Sequence, residues 1–476
     1  MVKLAKIIFL LFLNFLISQI PSERLFVTMQ MTDQVGVINT ENSSVNQYIA
    51  SDMEEIDSEI SCMILEESTC GFVEGCEWSM GMCMGTIDAS GIDTPHFIVM
   101  DEELGYWFLT TMTSGYVAQY SLVDNHLIDS FYVGDAPALL TIDTVRKKVY
   151  CSRTMPMSGM GMGDMMPSSE SNKIQALDYG PSGLSESNIS DYEIDSPAPH
   201  AIAISEDGNE IFTASNTTDW LYKINTITEE ITGVVMDLNI NNLSGQVIQR
   251  LKPIQCLSIG NKLFVTCSAG SWFNSFTGEN SVIPGQLQMW NSDTMELIDF
   301  IELGNYTNPW HIKESPIDDV IYVSLGGDSE YETEGVASVG FTDNMLSLEW
   351  LTTNPIFNTL HGVDVSSDGE KIYVSARGDG FIHILNSSGV YLESISVGMM
   401  SMPGGICITK KGLPILGDSN NNKIINVVDI IKILNFVIMD DILLSPYEIF
   451  ASDLTLDGVI DITDVVSIVD LIINNE

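Results

Sequence analysis

The chain has 476 residues, 65 of them acidic and 19 basic, for a formal net charge of -46, while 45% of its residues are apolar. That balance excludes a disordered acidic tail and leaves no clustered lysine or arginine for nucleic acid, so a folded protein with an acidic surface is expected. Repulsion on such a surface is eased where salt screens it or divalent cations bind it.

The chain opens MVKLAKIIFLLFLNFLISQIPSE: two lysines, an apolar run from Ile7 to Ile17 broken only by Asn14, then Ser18 and Pro21. The run is shorter than an ordinary membrane span and has the layout of a secretory signal peptide, assigned to residues 1–20. No other segment stays apolar long enough to cross a bilayer, so a secreted or cell-surface protein without a transmembrane span is expected. Residues 58–86 then bring Cys62, Cys70, Cys76 and Cys83 together in a stretch without strand periodicity. They read as an insertion closed by two disulfides, with pairing open; zinc is the rival, but the close C-x₂₋₄-C pairs it favours are absent. Cys151, Cys256, Cys267 and Cys407 lie in strand-like runs and read as buried thiols, with a Cys256–Cys267 link across a hairpin as the alternative.

From residue 94 onward one pattern recurs, seen in TPHFIVMDEELGYWFLTT, APHAIAISEDGNEIFTAS and TLHGVDVSSDGEKIYVS. Each copy is a short apolar strand, a turn often marked by Asp-Gly, and a second strand rich in aromatic and β-branched residues, followed by two more strands. The spacing predicts a mainly β fold, a seven-bladed propeller over residues 21–416. The seventh copy supplies only its beginning before the chain changes character at Gly417, whereas RLFVTMQMTDQVGVINT near the start matches the later strands of a blade. Both chain ends are therefore expected to share one blade, which removes the open sheet edge.

The repeats resemble the YVTN-type β-propeller family, best in LHGVDVSSDGEKIYVS and PHAIAISEDGNEIFTAS. The resemblance implies the propeller fold; surface and adhesive proteins, lactonases and copper enzymes share it, so it does not choose an activity. In a propeller, the loops entering innermost strands share a face with those joining second to third strands, and both kinds carry insertions here. They include the Met-rich loop 154–168, where Met155, Met157, Met160, Met162, Met165 and Met166 offer thioethers suited to copper or form a flexible surface. On the same face, His96, His200 and His361 start innermost strands at equivalent places, with Trp310 at a fourth and His311 beside it. This channel mouth is the candidate metal or anion site, against rings that simply bond neighbouring backbone. It is similar to the histidine-lined copper centre of nitrous-oxide reductase propellers, but Ala138, Ile254 and Gly404 hold the remaining places.

Residues 417–476 contain two copies of a twelve-residue loop followed by an amphipathic helix. In the first, Asp418, Asn420, Asn422, the Ile424 carbonyl, Asn426 and Asp429 can present oxygens; in the second, Asp453, Thr455, Asp457, the Val459 carbonyl, Asp461 and Asp464 do so. Hard oxygen ligands in this number point to calcium in EF-hand-like loops, weaker in the first, which has two carboxylates and Lys423 where the second has Gly458. The segment resembles a type I dockerin. That resemblance implies docking onto a cohesin-like scaffold module through the tenth and eleventh loop places, Val427, Val428, Ile462 and Thr463. The expectation is thus a propeller that binds a ligand or protein partner and is attached through a calcium-dependent tail. The alternative is a metal-dependent, copper-using oxidoreductase or lactonase-like hydrolase working at the channel mouth.

Overall fold

The second strand of each repeat is built almost wholly from aromatic, aliphatic and hydroxyl side chains, and in YWFLTT, Tyr106–Thr111, all six are buried. Such a strand is covered on both faces, which places it between neighbouring sheets. Outermost strands behave differently: Leu127–Tyr132 has no buried residue, its two ends being exposed and the rest half-buried. The computed structural model describes residues 23–53, 59–61, 76–79, 82–88, 92–134, 136–154, 172–236, 251–274, 279–439 and 442–474.

Seven four-stranded antiparallel sheets follow one another around a ring. Their innermost strands are Pro95–Asp101, Pro137–Asp143, Pro199–Ile204, Pro253–Ile259, Pro309–Glu314, Leu360–Val365 and Pro403–Ile408. The last of these pairs with Arg24–Met29, Phe26 opposite Cys407, and the sheet continues through Gln34–Asn39 to Ser44–Ala50. One blade therefore takes three strands from the chain's start and one from near its end, and the ring is closed. Counting that closing blade as the first, the fifth blade carries an extra hairpin, Gly270–Asn274 with Glu279–Ile283, between its second and third strands.

A repeated hydroxyl holds blade to blade. The Thr or Ser near the end of each second strand donates to the carbonyl of the second residue of the next innermost strand: Thr28 to His96, Thr110 to Ala138, Ser152 to His200, Thr266 to Trp310, Ser324 to His361 and Ser375 to Gly404. Thr213 departs from this and donates to Ala201 of its own blade, while the Ile254 carbonyl accepts from His200. The hydroxyl of the repeat motif is thus an inter-blade fastener, satisfying a buried carbonyl that the sheet ladder cannot reach.

The tail has three helices: α1 (Val427–Ile438), α2 (Pro446–Ser452) and α3 (Ile462–Asn474). Ile433 of α1 packs on Val465 and Ile468 of α3, and α2 starts at Ser445 with a capping box completed by Glu448. The change of composition at Gly417 is not a structural break. Tyr447, 2% exposed, enters the blade-two core beside Trp107 and Tyr120, and its amide donates to Leu104 O at 3.2 Å. Gly105 makes room for it: at φ +82°, a Cβ there would lie 2.2 Å from the Tyr447 ring. Asn421 Nδ2 also donates to Glu103 O at 3.0 Å. Because the turn 103–105 joins an innermost to a second strand, the tail sits on the face opposite the insertions.

Candidate ligand site at the ring axis and the loop-helix tail

The second residue of each innermost strand points toward the ring axis, and the fasteners above set its height. At these seven places stand His96, Ala138, His200, Ile254, Trp310, His361 and Gly404. His311, the next residue of its strand, joins them, its ring against that of His361. Ring centroids lie 6.3 Å apart for His96 and His200, 5.7 Å for His96 and His361, 4.5 Å for His311 and His361, and 4.7 Å for Trp310 and His361. The structure thus brings all five sequence-chosen residues into one cluster.

The cluster is buried: His96 and His200 are 5% exposed, His311 2% and His361 0%. Burial holds every one of these imidazoles below its ordinary range, His311 down to about 3, with Arg377 adding repulsion at His96, His311 and His361. They are neutral at pH 7. His200 Nδ1 donates to Ile254 O at 2.7 Å, the backbone contact that the simpler sequence reading anticipates. His96 Nδ1 instead meets Gln30 Nε2 at 2.6 Å, and Gln30 Oε1 accepts from Arg377 Nη2 at 2.8 Å. Gln30 and Arg377 were not singled out from the sequence. A signal existed: each stands two residues past a fastening hydroxyl, Thr28 and Ser375.

Among the described residues no three His, Cys, Asp or Glu side chains converge as a group able to hold a metal. The Met-rich loop lies outside the described residues from 155 to 171, as do Cys62, Cys70 and the first 22 residues with the signal segment. Strand register sets Cys76 opposite Gly85 and Cys83 opposite Trp78. Cys151, Cys256 and Cys407 are free thiols, and Cys256 faces Val265, so no link joins it to Cys267.

In the tail, the two loops close by the same hydrogen bonds. The first-place carboxylate accepts from the fifth and sixth amides, Asp418 from Asn422 and Lys423, Asp453 from Asp457 and Gly458. The twelfth accepts from the third and ninth, Asp429 from Asn420 and Asn426, Asp464 from Thr455 and Asp461. Left-handed backbone recurs at the fourth and sixth places, Asn421 (φ 55°) and Lys423 (φ 67°), Leu456 (φ 51°) and Gly458 (φ 81°). Asp418, Asp429, Asp453 and Asp464 are all buried. Between the tail and blade two lies a cavity of about 280 Å³, lined by Tyr106, Ile128, Leu444, Phe450, Asp453 and Leu456 among others.

No family model matches the chain, and no curated protein does. Among solved structures it is similar to a 6-phosphogluconolactonase-like protein from Bacteroides fragilis (14% identity, TM-score 0.52, 81% of this chain and 98% of that one) and to another from Bacteroides uniformis (11%, 0.52, 81% and 99%). A protein from Lactobacillus plantarum matches equally well (12%, 0.52, 81% and 99%). At these identities the likeness establishes the propeller fold alone.

Proposed function

We propose that the chain is an exported, seven-bladed propeller attached to a surface or assembly through a calcium-loaded, dockerin-like tail, with the insertion-bearing face left to engage a ligand or partner. The observation that carries this reading is the burial of Asp418, Asp429, Asp453 and Asp464. Each is held by backbone amides, and none forms an ion pair among the described residues. A buried carboxylate without a cation is costly, so four of them in two matched loops call for a hard divalent ion in each. Asn420, Asn422 and Asn426 would complete the first set; Thr455, Asp457 and Asp461 the second; the Ile424 and Val459 carbonyls close them.

Attachment is supported by what the tail leaves uncovered. Val427, Ile431 and Ile438 of α1 and Ile462, Val466 and Ile473 of α3 are exposed at the same spacing along both helices. Val428 and Thr463 lie beside them. None is used in packing α1 on α3, which falls to Ile433, Val465 and Ile468. Matching apolar stripes of this kind suit a cohesin-like partner with an apolar face. Titration calorimetry of the full chain is expected to show two calcium sites of unequal affinity. Val427→Asp with Ile462→Asp is expected to abolish calcium-dependent capture by an immobilised cohesin module. Absence of calcium heat, or capture that ignores the double variant, would refute the reading.

The catalytic alternative, an oxidoreductase or lactonase-like hydrolase, would need reacting groups open to substrate. The axial imidazoles are buried, so they favour a binding or structural role over proton transfer at an open site.

A further inference from the structure

The ring axis presents a second, independent feature. Nε2 of His96, Nε2 of His311 and both ring nitrogens of His361 are buried with no protein partner among the described residues. Buried polar groups are otherwise satisfied, so this cluster is built around something it bonds.

The hydrogen-bond relay determines the sign of that ligand. Arg377 donates to Gln30 Oε1, which fixes the amide so that its nitrogen donates to His96 Nδ1. A neutral His96 must then carry its proton on Nε2. The bare nitrogen is therefore a donor, unfit to ligate a metal as it stands. A neutral His361 also carries one N–H, and with neither nitrogen partnered that N–H is a second donor, 5.7 Å away between ring centroids. The charge that reaches His96, His311 and His361 together is the Arg377 guanidinium, which repels a cation and attracts an anion. Rings that are 5% exposed or less exclude any ligand larger than a few atoms.

We infer that the propeller axis holds a small monovalent inorganic anion of halide size, bonded by His96 Nε2–H and an N–H of His361 beside Arg377. The anion would tie blades two and seven together at the mouth, just where the closing blade lies between them. The inference does not depend on the tail or on calcium.

Crystals of the full chain grown in bromide and measured at the bromine absorption edge provide the test. A single axial anomalous peak within hydrogen-bonding reach of His96 and His361 is expected. No peak there, or a peak at a transition-metal edge in its place, overturns the inference. Gln30→Glu sets a carboxylate against His96 Nδ1, moves the ring proton to that nitrogen and adds negative charge, so the bromide peak should vanish. Arg377→Gln, which removes the guanidinium charge, is the second variant should the first fail to fold, and should lower the peak by at least half. A peak of undiminished height in either variant would equally overturn the assignment.

Discussion

The ring and the tail both take polar side chains out of water, and they do so in opposite ways. At the axis, imidazoles give up their charge: burial keeps them neutral, and several nitrogens have no protein partner among the described residues. In the loops, carboxylates are wrapped by backbone amides instead, two apiece at both ends of each loop. A group that titrates near neutrality can shed its charge on burial, whereas an aspartate far from its pKa needs donors and a counter-ion. The ring should therefore answer to protons and the tail to divalent cations.

That contrast can be broken most forcefully at the seam. Tyr447→Ala empties a pocket in the blade-two core and is expected to cost about 3–5 kcal/mol, with tail and ring then melting as two calorimetric transitions. Calcium comes next. At about a hundred times its dissociation constant it should add about 2.7 kcal/mol per site to the tail and leave the ring unchanged, and Asp464→Ala should erase the second loop's share; hydrogen exchange of α1 and α3 reads this directly.

Protons should act on the ring through His311. His311 has a folded pKa of about 3 against about 6.5 unfolded, so between these values the unfolded state binds the extra proton. Its contribution is present above pH 6.5 and is lost as pH falls toward 3, by about 1.4 kcal/mol per unit. Denaturant midpoints from pH 7 to pH 4 should fall more steeply for the wild type than for His311→Gln. The smallest effect separates the two loops from each other. Gly458→Ala, at φ +81° with open space around the added Cβ, should cost about 1 kcal/mol, while Lys423→Gly at φ +67° should gain up to about that much. Equal responses would mean that the sixth place is not what distinguishes the loops.

Much of this was legible beforehand because it is periodic. The strand pattern of APHAIAISEDGNEIFTAS and its copies implied seven blades, and the strand-like RLFVTM at the start implied a shared closing blade, Arg24–Met29 beside Pro403–Ile408. The equivalent placement of His96, His200 and His361 was readable for the same reason. Gln30 and Arg377 were not, since nothing in MQM or SARG marks a residue as axial until the fastening hydroxyls define a common register. In the sequence His311 reads only as a neighbour of Trp310, whereas in the fold its ring lies 4.5 Å from that of His361.

The docking of the tail was the least legible. PYEIFAS reads as a short capped helix, and no local rule tells that its tyrosine ends beneath a glycine more than three hundred residues earlier. What repeats and what is local could be read from the order of residues: strand periodicity, Asp-bearing loops and capped helices follow from side-chain spacing and backbone preference. Which polar groups lose their water, which charge they meet there and which face the tail covers emerged with the folded chain, because desolvation and long-range contact depend on segments far apart in it.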